Sequence, residues 1–276
     1  MNPVNEIWLL VLRELRKNLC SVKGLVLLLI CMLGAVATSL VISRASDLSK
    51  EKGVDSQQAA GASFEVLKEL YDATVAKRMV GVPAVPLAML IGIVFLLPSF
   101  TALVSFDSVS SELQFKAVRY WTVRVRRVSF FLGKVFGVFT LVAVATLVMN
   151  MLTWIIAIAR DVSPFGATVG WGLELWASVL PIVFAWCSMA VFISSLVKTP
   201  ILALLFNFAA NLALGLIYVV AKASQSEVLT YVYPNRYDVY LLSSASDRVL
   251  MGLAGCFAFA GVFLVAGSLL FQRRDL

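Results

Sequence analysis

The sequence predicts an all-α polytopic membrane protein with six transmembrane helices, and three observations predict it. The chain of 276 residues is 61% hydrophobic and only 14% charged, against about 25% charged in soluble domains. Six apolar runs, 25–42, 86–106, 128–159, 171–193, 200–221 and 249–271, are each long enough to approach the roughly 20 residues that cross a bilayer. None alternates like a barrel strand, and in lipid the remaining way to satisfy the backbone is a helix. Residues 1–276 therefore read as a single transmembrane domain.

Ahead of the first run, "NEIWLLVLRELRKNLC" places Ile7, Trp8, Val11, Leu12, Leu15 and Leu19 at helical spacing, with Arg13, Glu14, Arg16 and Lys17 opposite or at the margins. Residues 1–24 are expected to form an interfacial amphipathic helix that anchors the first span. The first run lacks a small-residue cleavage site, so it reads as a span and not as a cleavable signal peptide.

Between the first and second runs lies the loop 43–85. Its first half is polar. Its second half, "SFEVLKELYDATVAKRM", has an apolar stripe of Phe64, Leu67, Leu70, Tyr71 and Val75 with Ser63 as a candidate N-cap and Val66 at the capping-box position. This outer-face helical loop reads first as a helix on the outer leaflet, and second as a lid or a grip for an outer protein partner. Pro83 and Pro86 end the loop and open the second span. The third run is too long for one crossing, which puts its first turn at the interface.

Lys and Arg set the orientation. With both termini in the cytoplasm, the inner segments 1–24, 107–134, 194–199 and 272–276 hold 13 basic and 5 acidic residues. The outer segments 43–85, 160–170 and 222–248 hold 10 of each. The expected location is a bacterial cytoplasmic membrane, crossed six times.

Several kinds of chemistry are excluded. There is no histidine, so the commonest general base and metal ligand is missing. Cys20, Cys31, Cys187 and Cys256 have no zinc or redox spacing. Gly133-Lys134 is followed by Val135 and lacks the upstream glycine of a Walker A loop. No catalytic residue, metal ligand or directly bound cofactor is expected. Intramembrane carboxylates are scarce: Glu174, flanked by Trp171 and Trp176, lies near the outer end of the fourth run and Asp107 at the inner end of the second, which counts against a proton- or sodium-coupled carrier. Asn150, Asn207 and Asn211 are the polar residues of interest inside the spans. They either bond neighbouring helices or line a path across the membrane.

The stretch "SSELQFKAVRYWTVRVRRVSFFLGK", 110–134, carries six basic residues and one acid. A nucleic-acid patch does not fit a short segment pinned to the bilayer with no recognition motif. Trp121, Arg124, Arg126 and Lys134 suit the headgroup layer of membrane lipid. Anchoring leaves the first half unexplained. Leu113, Phe115, Lys116, Ala117, Tyr120 and Trp121 follow a helical pattern behind Ser110 or Ser111 as cap, which is the form of a short helix able to dock on a cytosolic partner.

Here the chain resembles the ABC-2 type permeases, the membrane subunits of ABC exporters. Asp107, Ser110 and Glu112 match that family's Asp and Ser-x-Glu at the end of the second span. Val125 and Arg127 match its Pro-Val-x-Arg turn, with Arg124 in place of the proline. Gly133 and Lys134 match the Gly-Lys that opens the third span. The family's Gly-Thr pair is replaced near Phe115 and Lys116. "ISSLVKTPILALLFNF", "LRELRK" and "FQRRDL" resemble its fourth loop, its start and its ending. The resemblance implies a coupling segment at 107–128 that docks an ATPase through Asp107, Ser110, Glu112, Phe115, Lys116, Arg119 and Arg127. It also implies two cytosolic ATPase subunits that bind ATP and Mg, and a second permease copy or homologue. Read from residues alone, a channel or the membrane anchor of a larger complex stays open.

Overall fold

The computed structural model describes residues 3–19, 21–51, 64, 65, 67–122, 125–160 and 164–273. Cys20, Ser63, Val66, Arg124 and the terminal 274–276 lie outside them, as do the side chains of Arg119 and Trp121.

All described regular elements are helices. They are α1 (Pro3–Leu19), α2 (Val22–Glu51), α3 (Ala73–Met79), α4 (Ala84–Ser105), α5 (Ser110–Gln114), α6 (Ala117–Thr122), α7 (Arg127–Ala159), α8 (Phe165–Leu196), α9 (Pro200–Ala223), α10 (Glu227–Thr230), a 3-10 turn at Pro234–Tyr237, α11 (Asp238–Leu241) and α12 (Ser246–Arg273). Six of them, α2, α4, α7, α8, α9 and α12, have the length and apolar composition to cross a membrane. The chain is thus an all-α, multi-pass membrane protein.

The spans are not equivalent. The apolar window of α8 is 78% buried, against 11% in α9 and 17% in both α2 and α12. α8 is the post around which α4, α7 and α12 pack, with Ile182, Trp186 and Cys187 fully enclosed. Leu212 on α9 and Val262 on α12 are largely exposed, as expected where the neighbour is lipid.

α1 lies lengthwise against the start of α7. A Cβ added to Gly133 would stand 2.7 Å from the Leu10 side chain, and one added to Gly137 would stand 2.8 Å from that of Glu14. The Gly-x-x-x-Gly spacing is thus the close-approach seam for α1. The apolar stripe is divided: Val11 is buried and Leu15 packs against the core, but the rest does not form the packing face. Trp8, Leu12 and Leu19 are exposed, whereas Glu6, Leu10, Val11, Glu14 and Asn18 are buried. Amphipathicity reports where lipid or interface lies, and here the polar margin turns inward because it has a polar partner.

At the opposite end of the bundle the expected surface helix is corrected. Leu67, Tyr71, Val75, Ala76 and Met79 belong to the main core, and only Leu70 of the stripe is exposed. The chain breaks at Tyr71–Asp72 before α3, and residues on both sides of the break, Leu67 and Tyr71 before it and Val75 and Met79 after it, are buried. Arg78 fastens this cap: Nη1 donates to the Leu242 carbonyl at 2.7 Å, and Nη2 pairs with Glu174. Arg248 reaches Asp72 at 3.6 Å.

Residues 224–245 also differ from the simple outer loop expected at 222–248. The 3-10 turn penetrates the bundle, and Asn235 explains why. Pro98 inside α4 has no N–H, which leaves the Val94 carbonyl without its helical donor. Asn235 Nδ2 donates to that carbonyl at 2.7 Å, and its Oδ1 accepts from Trp186 Nε1 at 2.7 Å. Val94 is ten residues into α4, about 15 Å along it. The segment therefore re-enters among α4, α8 and α12.

Candidate functional site

The candidate site is the helical hairpin between α4 and α7, together with the groups that hold it. Its first turn is fixed from α8. Ser194 Oγ accepts from the N–H groups of Val109 and Ser110 at 3.3 and 3.2 Å and donates to the Phe106 carbonyl at 2.8 Å. Ser110 Oγ donates to the same carbonyl at 2.7 Å, and Ser111 Oγ to that of Asp107 at 2.5 Å. One hydroxyl on the most buried span thus sets where α5 begins.

Two exposed aromatic rings mark the tip. Phe115, at the end of α5, is 77% exposed, and Tyr120 on α6 is 58% exposed. Lys116 between them has φ 55°, a left-handed conformation that favours glycine and marks a helix C-terminus. It turns the chain from α5 into α6 near the position where the resemblance leads one to expect the Gly-Thr pair.

Behind the tip is a buried charge cluster. The Lys134 ammonium is wholly enclosed, and Glu14 and Glu112 are 2% and 6% exposed. Lys134 Nζ donates to Glu14 and, at 2.5 Å, to Glu112 Oε1. It also lies 5.3 Å from the centre of the Phe130 ring. Three elements meet at this one cation: α1 through Glu14, α5 through Glu112 and α7 through Lys134. The second oxygen of Glu112 is buried without a hydrogen-bond partner. Low polarity strengthens these bonds and makes each broken one costly.

The expected residues are therefore divided. Phe115 and Lys116 are exposed, and Asp107 is partly so. Ser110 and Glu112, expected on the docking face, are buried. Their role is to hold the hairpin, because a desolvated carboxylate requires the cation it binds. Arg127 donates from Nη1 to the Gln272 carbonyl at 2.8 Å, tying the base of α7 to the end of α12. Arg126 is exposed. Lys134, expected as a headgroup anchor, is corrected for the same reason as Glu112: its charge is spent inside the protein.

Glu14 was missed as a site residue. The signal for it was present, since Lys134 is the only charged residue between Arg127 and Arg160, and such a cation needs a partner. Which carboxylate supplies it is not a local property.

The three asparagines lie elsewhere. Asn150 Nδ2 donates to Thr146 in its own helix at 2.9 Å. It lines a void of about 10 Å³ that Thr146 and Trp176 also line. Asn207 Nδ2 reaches Ala203 at 2.9 Å and Ala190 on α8 at 3.4 Å, and Asn211 Nδ2 reaches Pro98 on α4 at 2.8 Å. The latter two thus bond α9 to its neighbours.

No protein-family model matches the chain, and no curated protein matches it. What the site offers chemically is a protruding aromatic contact whose base is locked to two other helices by ion pairs.

Proposed function

We propose that the chain is the permease subunit of an ATP-binding cassette transporter of the ABC-2 type, working as an exporter. The observation that carries this reading is the α5–α6 hairpin. Exposed Phe115 and Tyr120 present a contact, while Glu112 in the same hairpin is bonded to Lys134 at the base of a span. A push on such a hairpin is delivered to α7 and α1, because the ion pairs leave no compliant surface between them. In this reading the hairpin faces the cytosol, both termini are cytoplasmic, and ATP with Mg is bound by two separate ATPase subunits. A second permease copy or homologue completes the translocation unit in a bacterial cytoplasmic membrane.

The test is co-purification from native membranes, with tagged wild-type chain beside Phe115→Asp and Tyr120→Asp. The wild type is expected to retain an ATP-binding cassette ATPase whose hydrolysis responds to the permease. Each aspartate is expected to lower the retained ATPase about tenfold, as loss of a buried aromatic anchor does. An intact wild-type complex without an ATPase, or full retention by both variants, overturns the reading in favour of a channel or membrane anchor.

A further inference from the structure

α2 packs mainly on α7, touches α4 and α1 over shorter stretches, and leaves a slot beside α4. Against α7, Cys31 Sγ approaches the Ala145 carbonyl at 3.7 Å, and Arg160 Nη1 donates to Ser43 at 3.2 Å. On the α4 side two cavities of about 290 and 230 Å³ share Ile30 and follow α4 from Ala88 to Val104. That is roughly 24 Å of helix at 1.5 Å per residue, most of the ~30 Å hydrocarbon layer. Gly34 and Gly92 both line the wider cavity, and a Cβ added to Gly92 meets nothing within 4 Å. A helix laid along this slot needs roughly 10 Å of width over its whole length, far more than these volumes provide. An extended hydrocarbon chain fits a long, narrow and apolar space.

The slot ends in charge. Asn18 and Val104 line its inner cavity. Lys17 and Asp107, near them in the chain, line the next cavity, about 340 Å³, together with Arg13, Ser111, Glu112 and Phe115. Lys17 is exposed. Glu112, which lines this cavity, has a buried carboxylate oxygen with no hydrogen-bond partner, an acceptor that calls for a donor. An apolar slot of bilayer length that ends beside a charged cavity, with a cation and an unanswered carboxylate oxygen among its lining residues, has the layout of a phospholipid carrying a phosphate and an ammonium.

We propose that this chain binds one zwitterionic aminophospholipid, with an acyl chain in the slot between α2 and α4 and the headgroup in the charged cavity between α1 and α5. The phosphate sits toward Lys17, and the ammonium donates to the free oxygen of Glu112. The lipid then fills the cavities left between α2 and α4 and completes the hydrogen bonding of the buried ion cluster. The site does not depend on an ATPase partner.

The full chain, extracted in mild detergent and stripped of loose lipid, is examined by native mass spectrometry and titrated with phosphatidylethanolamine or phosphatidylglycerol. One tightly held phosphatidylethanolamine per chain is expected, held about tenfold more firmly than phosphatidylglycerol, the difference one charge-assisted hydrogen bond makes. Gly92→Leu fills the slot and Lys17→Glu repels the phosphate. Each is expected to lower retention about tenfold, while Leu212→Ala on the lipid face of α9 leaves it unchanged. Circular dichroism verifies that the variants stay helical. If Gly92→Leu does not fold, Lys17→Glu and a photoreactive acyl chain crosslinking to α2 and α4 carry the test. No retained phospholipid, equal retention of the two lipids, or unchanged retention in the folded variants overturns the proposal.

Discussion

Lys134 Nζ lies 2.5 Å from Glu112 Oε1 with no part of the lysine side chain open to solvent. The same ammonium holds Glu14, so two carboxylates depend on one cation. Removing that cation leaves both buried and uncompensated. Lys134→Met is expected to cost about 3–5 kcal/mol of stability, read as a fall in the detergent-solubilised unfolding temperature. The triple change Glu14→Leu, Lys134→Met and Glu112→Leu is expected to recover most of that loss, because no charge is then stranded. A triple variant as unstable as Lys134→Met shows that packing at α1 and α7, and not ion pairing, sets the cost.

Asn235 and Pro98 form a second dependent pair. Asn235→Leu strands the Val94 carbonyl and the Trp186 indole N–H, each costing about 1–3 kcal/mol when buried without a partner. Adding Pro98→Ala restores an N–H to α4, and the double variant is expected to regain part of the loss. A double-mutant cycle of thermal unfolding measures this coupling. Strict additivity of the two changes means that Asn235 does not cap the carbonyl that Pro98 frees.

Asp238, in the re-entrant segment, has its carboxyl pushed up to about 7 by burial, against the opposing pull of the Val239 N–H and Arg236. Its ordinary value is 3.8. Between these values the folded state binds more protons than the unfolded state, so this group's stabilising contribution falls as pH rises. That contribution is full below about pH 4 and is lost above about pH 7. Asp238→Asn is expected to raise the unfolding temperature by several degrees at pH 8, of the order that 1 kcal/mol produces. Its effect at pH 4 is expected to be small. Unfolding temperatures of the two proteins that run parallel from pH 4 to pH 8 contradict the assignment.

The hairpin illustrates how far local sequence carries a site. Phe115 and Lys116 were legible as members of a short helical segment projecting between two spans, and the structure alone makes them its exposed tip. Glu112 was legible as a member of the hairpin but not as a buried ion-pair partner. Its sequence position records a charge near the membrane and does not record that Lys134 lies behind it.

By itself the sequence determined the helical class, the number of spans and their ends to within several residues. Those follow from run length and composition, since a backbone in lipid must close its own hydrogen bonds. It also placed a charged, aromatic segment between the second and third spans. Tertiary structure alone decided which faces turn inward. Lipid is as apolar as a leucine side chain, so hydrophobicity does not separate the exposed Trp8 and Leu12 from the buried Leu10 and Val11. Packing settled that choice through the close approach at Gly133 and Gly137. It also joined polar groups 120 residues apart at Lys134 and Glu14, and 141 apart at Asn235 and Val94. Such pairs form because an apolar interior leaves a polar group no partner except another polar group brought to it by the fold.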